Sequence, residues 1–124
     1  MNARRYPRKV AVVDSDRRLT YAELESRTNR MAHGLVQLGV RRGDRIGLLI
    51  GNSVLFVELY VAIVKLRAIA VPFNIRLAAP ELDFCVRHTD CRLLAADRAN
   101  AERAESYTND VEAILVEGDN LSDR

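Results

Sequence analysis

The chain has 124 residues, of which 48% are apolar and 29% are charged, and its net charge is +2. This composition is typical of a soluble globular chain of one domain or part of one, and so small a charge does not indicate a nucleic-acid partner. No apolar segment follows the basic N-terminal residues as it would in a secretory signal, so we expect a cytoplasmic protein.

The first elements predicted in chain order are a basic arm and a two-stranded ribbon. Residues 1–8 carry three arginines, and we expect this arm to be solvated. Residues 9–13 and 17–20 are predicted strands, with polar turn residues between them. Because the connection is so short, we expect a hairpin-like ribbon and not a crossover.

A long amphipathic helix follows the ribbon. Thr20 and Glu23 have the spacing of a capping box, in which each side chain accepts a hydrogen bond from the other residue's backbone N–H. Apolar residues then recur every three or four positions, and Gly39 can adopt the left-handed conformation that ends a helix. The pattern predicts a helix from Tyr21 to about Leu38.

The central stretch predicts a strand, a helix and a second strand. An apolar run over 45–50 predicts the first strand, and a turn over 51–53 follows it. In this turn the Ser53 hydroxyl can cap a helix predicted over 54–66. That helix carries only two charged residues, so we expect it to be covered on almost every side. It is shorter than the roughly 20 residues that cross a bilayer, and we predict no transmembrane segment. With the strand over 68–73, these elements predict a parallel βαβ crossover.

The remaining elements continue the alternation of helices and strands. The pattern predicts a helix over 80–89, a strand over 92–96, a weakly helical polar segment over 97–110 and a last strand over 113–116. Residues 117–124 are acidic and rich in turn formers, so we expect disorder or a truncated connection there.

These elements together predict an α/β fold. We expect a layered βαβ domain with a mostly parallel sheet and helices on both faces. Residues 9–116 form its core, between the basic arm of 1–8 and the acidic tail of 117–124. A covering helix is expected after the last strand, so we interpret 9–116 as an incomplete subdomain of a larger domain.

Two turns are candidate anion sites. Gly51, Asn52 and Ser53 place free backbone N–H groups after a strand, where an anion could bind, although helix capping explains the same residues. The basic turn over 41–44 could meet a phosphate, but a solvated loop is the simpler interpretation. No glycine-rich phosphate loop and no nucleophile elbow is present in the sequence.

Histidine and cysteine offer a possible metal pattern. Cys85, His88 and Cys91 have a Cys-x-x-His-x-x-Cys spacing, but a structural zinc usually needs four ligands and no second pair is evident. We favour two inert packed thiols. His33 lies off the apolar stripe of its helix, without a carboxylate or cysteine at helical spacing, and is interpreted as a surface residue.

An acidic pair after the first strand raises the hypothesis of a phosphotransfer function. Asp14 and Asp16 follow the first strand, as an acidic pair does in response-regulator receiver domains. The central strand ends in Gly51, Asn52 and Ser53, where a receiver needs its phosphoacceptor aspartate. Without that acceptor the site cannot form, so this interpretation is rejected.

Five local motifs occur in order along the chain: Leu-Thr-Tyr-Ala-Glu-Leu at 19–24, Leu-Gly-Val-Arg-Arg-Gly-Asp-Arg-Ile at 38–46, Asn-Ser at 52–53, Phe-Val-Glu at 56–58 and Val-Pro-Phe-Asn-Ile-Arg-Leu at 71–77. Together they resemble the N-terminal segment of the adenylate-forming enzymes, which include acyl-CoA synthetases, aryl-CoA ligases, luciferases and peptide-synthetase adenylation domains. Two positions depart from the family pattern. Arg67 replaces a glycine, which suggests that the preceding helix ends differently, and Ile75 replaces a proline and so removes a rigid turn residue.

The resemblance implies a two-step ligase in the parent protein. A carboxylic acid reacts with Mg-ATP to give an acyl-adenylate and pyrophosphate, and coenzyme A then displaces AMP. The family's phosphate loop, adenine contacts, ribose-binding aspartate and catalytic lysine all lie beyond the matched segment. The resemblance therefore assigns no catalytic, cofactor-binding or metal-binding residue to this chain.

The resemblance, together with the missing site residues, leads to two hypotheses about function. The first is an N-terminal fragment of an acyl-CoA synthetase, inactive alone, whose partner is the missing C-terminal portion of the same enzyme. ATP, Mg²⁺ and coenzyme A would then be bound by the parent and not by this chain alone. The alternative is a truncated or degenerate paralogue that acts as a non-catalytic binding module through surface its missing half would have covered.

Overall fold

A computed structural model describes residues 2–15 and 17–118. The elements are α1 (Asn2–Arg5), β1 (Val10–Val13), β2 (Arg18–Thr20), α2 (Tyr21–Gln37), β3 (Arg45–Leu49), α3 (Val54–Lys65), β4 (Ile69–Pro72), α4 (Ala79–Thr89), β5 (Leu93–Ala96), a 3₁₀ turn (Arg98–Asn100), α5 (Ala101–Glu105) and β6 (Ala113–Val116). From β1 to β6 the predicted order of strands and helices is confirmed, and most boundaries agree within about two residues. Helix α1 was not predicted, and the segment predicted as weakly helical over 97–110 is helical only from Arg98 to Glu105.

The main sheet has four strands in the order β4-β3-β5-β6, and every neighbouring pair is parallel. Strands β1 and β2 form a separate antiparallel ribbon, as predicted. Alternate residues of β3 and β5 face opposite cores. One core contains apolar side chains of α2 and α3, and the other contains those of α4 and α5. The predicted α/β fold with helices on both faces is therefore confirmed.

Helix α2 begins and ends as its local sequence indicates. The Thr20 hydroxyl accepts from Glu23 N at 3.1 Å, and the Glu23 carboxylate accepts from Thr20 N at 2.9 Å. At the other end Gly39 has φ +90°, and Val40 N donates to Leu35 O at 3.0 Å. The capping box and the left-handed glycine terminus are both confirmed.

Helix α3 is less enclosed than its composition predicts. The Ser53 hydroxyl accepts from Phe56 N at 3.2 Å, which confirms the predicted cap. Tyr60 is 44% exposed and Val64 is 53% exposed, so the expectation of nearly complete burial is wrong. The reason is that α3 packs on the sheet and beside α2, which leaves its outer side uncovered among the described residues. None of the described helices has both the length and the apolar character required to cross a membrane.

Helix α3 ends in the usual way although Arg67 occupies the position where the family has a glycine. Arg67 has φ +57°, its N–H donates to Val64 O at 2.9 Å, and Ala68 N donates to Ile63 O at 3.2 Å. These bonds are the ones a glycine usually supports at a helix end. The suggestion that the helix ends differently is therefore wrong, because the arginine itself adopts the left-handed conformation.

The variant Arg67→Gly is expected to stabilise the chain by about 1 kcal/mol, since glycine adopts this conformation without a Cβ clash. Urea denaturation followed by circular dichroism measures the change. Arg67→Ala is the matched control, because it removes the exposed guanidinium but keeps the Cβ. If the glycine variant is no more stable than the alanine variant, backbone strain at this position is excluded.

The two ends of the chain are more structured than predicted where they are described. In the arm, Pro7 O accepts from Ala22 N at 3.1 Å, so the arm contacts α2 and is not wholly solvated. After β6, Glu117 N donates to Ala96 O at 2.9 Å, and the Glu117 carboxylate accepts from Arg98 N at 3.0 Å. Residues 119–124, the rest of the predicted acidic tail, lie outside the described residues.

Candidate functional site

The strand order defines where a ligand site would be expected in this sheet. The chain moves outward from β3 to β4 on one side, and from β5 to β6 on the other. Neighbouring strands β3 and β5 therefore send their following loops in opposite directions. In open α/β sheets, such a switch point creates a crevice outside the carboxyl ends of the strands.

The chain's own polar groups bridge this crevice. Asp97, directly after β5, accepts from Gly51 N at 2.9 Å through one carboxylate oxygen. Its other oxygen accepts from the backbone N and the side-chain amide of Asn100, at 3.0 and 2.7 Å. Asp97 therefore joins the ends of β3 and β5.

The backbone N–H groups at the start of α3 also donate to oxygens of the protein. Asp14, from the ribbon, accepts from Val54 N at 2.7 Å and from Arg17 N at 2.8 Å. The Ser53 hydroxyl accepts from Phe56 N and donates to Gly51 O. The N–H groups of Gly51, Val54 and Phe56 thus bind oxygens of the protein, which supports the capping interpretation over the anion site.

Asp14 has a structural role here. Its carboxylate holds the ribbon to the beginning of α3, 40 positions later in the chain. Asp16, the other member of the acidic pair, lies outside the described residues. Asn52, in the turn after β3, is exposed.

The loop after β4 is fixed by hydrogen bonds, mainly to a side chain of α5. Arg103 of α5 donates to Ile75 O at 2.7 Å and to Leu77 O at 2.9 Å. Asn74 also accepts from Arg76 N at 2.9 Å. The loop therefore keeps a fixed course without a proline at position 75, because a guanidinium from another helix holds its carbonyl groups.

The cysteine and histidine pattern does not form a metal centre. Cys91 is buried and Cys85 is half-buried, and both thiols are free. The Nδ1 atom of His88 lies 2.8 Å from Phe84 O, and the ring stacks on Phe84 with a centroid distance of 4.1 Å. Within 2–15 and 17–118, no three His, Cys, Asp or Glu residues are grouped to hold a metal ion. The packed-thiol interpretation is supported, with Cys85 less buried than expected.

The two thiols are expected to differ in reactivity. Burial raises the pKa of Cys91 to about 11, so at about pH 8 its reactive thiolate is scarce. Brief treatment of the folded chain with iodoacetamide should therefore label Cys85 first, as measured by mass spectrometry of the peptides. Urea should remove the difference between the two residues. Equal labelling rates in the native chain would contradict the buried position of Cys91.

The basic turn over 41–44 borders an open cleft of about 570 Å³ at the opposite, amino edge of the sheet. Asp44 accepts from Arg41 N at 2.8 Å and pairs with Arg92 at 2.6 Å, and both contacts hold the pKa of Asp44 below its usual value. Arg92 also pairs with Glu112 at 2.8 Å. Arg92, which lines the cleft, is therefore paired with two carboxylates.

Two further ionisable side chains lie on α2 and α3. His33 is exposed on α2, as predicted. Glu58 of α3 is fully buried and accepts hydrogen bonds from Arg17 and Arg27, which sequence reasoning did not identify. A lone carboxylate in an apolar helix was the available signal, because such a residue is rarely buried without a cationic partner.

Comparison with known proteins identifies the class to which this fold belongs. The model of the AMP-binding enzyme family matches residues 1–123, and the chain belongs to that family. The family resemblance seen in the sequence motifs is thereby confirmed.

Among curated relatives, the chain is similar to the long-chain-fatty-acid–CoA ligase FadD13 of Mycobacterium tuberculosis, with 37% identity over 125 residues. The match covers 95% of this chain and 25% of that ligase. A medium/long-chain-fatty-acid–CoA/3-oxocholest-4-en-26-oate–CoA ligase of Mycobacterium marinum is 36% identical over 113 residues, which is 89% of this chain and 20% of the relative. This chain thus spans a fifth to a quarter of the length of these relatives.

Solved structures support the same fold. The chain superposes on the inhibitor-bound N-terminal domain of FACL13 from M. tuberculosis with a TM-score of 0.87 and 34% identity. That match covers 98% of this chain and 32% of the other.

Proposed function

We propose that this chain is the N-terminal part of an ATP-dependent acid–CoA ligase. In the parent reaction a carboxylate attacks the α-phosphate of Mg-ATP and releases pyrophosphate, and the coenzyme A thiol then attacks the acyl-adenylate and releases AMP. The observation that carries this proposal is the match of 95% of the chain to a fatty-acid–CoA ligase. The acid used by the parent is assigned no further than a carboxylic acid.

The chain's role in that reaction is to provide a framework. At the crevice between β3 and β5, the backbone N–H groups of Gly51 and Val54 bind Asp97 and Asp14. Phosphate binding requires donors that are free to meet the developing charge. We therefore propose that ATP, Mg²⁺ and coenzyme A bind mainly through the C-terminal portion of the parent, and that the isolated chain is inactive.

A pyrophosphate exchange assay tests the inactivity of the isolated chain. The purified 124 residues are incubated with ATP, Mg²⁺, labelled pyrophosphate and a panel of carboxylic acids, with full-length FadD13 as the positive control. No label should enter ATP in the presence of the isolated chain. Acid-dependent exchange above the protein-free background would show that the chain contains a complete site.

A chimera tests the ligase assignment itself. This chain replaces the matching segment of FadD13, and a second protein simply lacks that segment. The chimera is expected to support fatty-acid-dependent exchange, and the deletion variant is not. A folded but inactive chimera would count against the ligase function and favour the non-catalytic binding module.

We also propose a cytoplasmic location for the parent protein. Cys85 and Cys91 are both free thiols, which suits a reducing compartment. Fractionation of cells that produce the tagged protein tests this location, and recovery outside the cytoplasm would overturn it.

A further inference from the structure

The ribbon of β1 and β2 turns two valines outward on one face. Val10 pairs with Thr20, and after a shift of register Val13 pairs with Arg18. In a regular strand, residues three positions apart point to opposite faces, but the extra residue of a bulge brings them to the same face. Val10 and Val13 are accordingly 43% and 63% exposed, while Leu19 points the other way and is buried.

The N-terminal arm lies beside this face. Tyr21 N donates to Lys9 O at 2.9 Å, and Ala22 N donates to Pro7 O at 3.1 Å, so the arm is held at the beginning of α2, directly after β2. The Tyr6 ring is 41% exposed, and its centroid lies 4.4 Å from the Lys9 nitrogen. An exposed tyrosine next to cations is typical of proteins that meet a membrane–water interface.

The arm and the ribbon also carry unpaired positive charge. Their exposed basic residues are Arg4, Arg5, Arg8, Lys9 and Arg18. The ion pairs among the described residues involve other arginines and Lys65, so no described carboxylate neutralises these five. Basic residues outnumber acidic ones over 1–30, whereas acidic ones outnumber basic ones over 31–124. An anionic surface would therefore attract this end of the chain and not the rest.

We propose that this surface, which we call the ribbon patch, docks on the anionic surface of a lipid bilayer. The ribbon patch consists of residues 4–10 with Val13 and Arg18. Its basic side chains bind phospholipid headgroups, and Val10 and Val13 enter the boundary between the headgroups and the acyl chains. The attachment is peripheral, and the proposal does not depend on the ligase assignment.

The combination of charge and exposed apolar side chains favours a lipid surface over other occupants. A soluble polyanion would bind the charges but would leave the outward valines in water. Burial of the patch against the missing part of the parent, or against a second copy of this chain, would place several unpaired charges in an interface, which is costly. A bilayer surface accepts both kinds of side chain, because its headgroups remain hydrated.

Cosedimentation with lipid vesicles tests the proposal. The folded 124-residue chain is expected to bind vesicles of phosphatidylcholine with about 30% phosphatidylserine at least tenfold more tightly than vesicles of phosphatidylcholine alone. Binding should weaken as sodium chloride is raised, because salt screens exposed charges. Equal binding to the two kinds of vesicle, or binding to neither, would overturn the proposal.

Two matched double substitutions locate the binding surface. Arg5→Gln with Arg8→Gln should weaken binding to the anionic vesicles about 25-fold, since each basic residue at such a surface contributes about fivefold. Arg41→Gln with Arg42→Gln removes the same charge from exposed residues of the turn before β3 and should change binding less than about twofold. Equal losses would reduce the effect to net charge and would overturn the proposal.

A valine substitution separates a lipid surface from a soluble anionic partner. Val13→Ser should weaken vesicle binding at least about fivefold, because it removes apolar area that enters the bilayer. Val36→Ser, at a valine of α2 that is 52% exposed, is the control and should have little effect. Val13→Ser should also leave binding to polyglutamate unchanged. If Val13→Ser does not weaken vesicle binding, the patch serves a soluble partner and the proposal is wrong.

The remaining occupants give distinct results. Dimerisation of the lipid-free chain that Val13→Ser abolishes, measured by sedimentation velocity, would assign the face to a second copy. The substitutions of Arg5 and Arg8 are also compared in the FadD13 chimera. If they weaken vesicle binding by the isolated chain but not by the folded chimera, the rest of the parent covers the patch and the proposal is overturned.

Discussion

The variant Glu58→Gln is expected to lower the free energy of unfolding by about 3 kcal/mol. None of the Glu58 side chain is exposed, and its two oxygens accept hydrogen bonds from Arg17 and Arg27. A neutral amide in this position directs an N–H toward one arginine and leaves a buried donor facing another donor. The carboxylate also joins α3 to α2 and to the turn before β2, so its loss loosens three elements at once.

Urea denaturation followed by circular dichroism measures this cost, with Glu112→Gln as the matched control. Glu112 also pairs with an arginine, Arg92, but its side chain is 66% exposed. Water replaces a partner at such a site, so the control should change stability by less than about 0.5 kcal/mol. If the two substitutions have equal effects, Glu58 is not an anchor of the fold.

Features with a short sequence signal could be predicted reliably. The capping box of Thr20 and Glu23 and the cap of α3 by Ser53 each involve residues three positions apart. The left-handed end at Gly39 is equally local. Strands and helices alternated clearly, so the α/β class followed from the pattern of elements.

Features that depend on distant residues could not be predicted in the same way. Glu58 meets partners 41 and 31 positions away, and Gly51 meets Asp97 across 46 positions. The sequence offered free N–H groups at the turn after β3, but it did not reveal which oxygens would bind them. That choice depends on the order β4-β3-β5-β6, which places β5 beside β3 and brings Asp97 to the turn.

The exposure of α3 was mispredicted for a related reason. Its composition indicated a fully enclosed helix, yet Tyr60 and Val64 are about half exposed. The composition of a helix shows how much apolar surface it carries. Whether that surface is buried depends on the neighbouring elements, which the composition of the helix does not reveal. The described residues provide no such cover on the outer side of α3.

The variant Gly47→Ala is expected to cost about 2 to 3 kcal/mol, because β3 has no room for a side chain at this position. Gly47 is buried in the centre of the sheet. An added Cβ would lie 2.5 Å from Cε2 of Phe73 and 3.0 Å from Cδ1 of Leu94. Thermal and urea unfolding measure the loss. Gly51→Ala is the matched control, since its Cβ would meet no described atom closer than 3.5 Å, and it should change stability by less than about 1 kcal/mol.

A second substitution identifies the clash as the cause. Phe73→Leu shortens the ring that meets the new Cβ, and by itself it should destabilise the chain because it leaves a gap in the core. Combined with Gly47→Ala it should recover at least about 1 kcal/mol relative to the sum of the two single effects. The glycine and the aromatic ring would then act as one packing unit that joins β3 to the end of β4. Strict additivity would instead assign the cost of Gly47→Ala to the backbone of β3 or to Leu94.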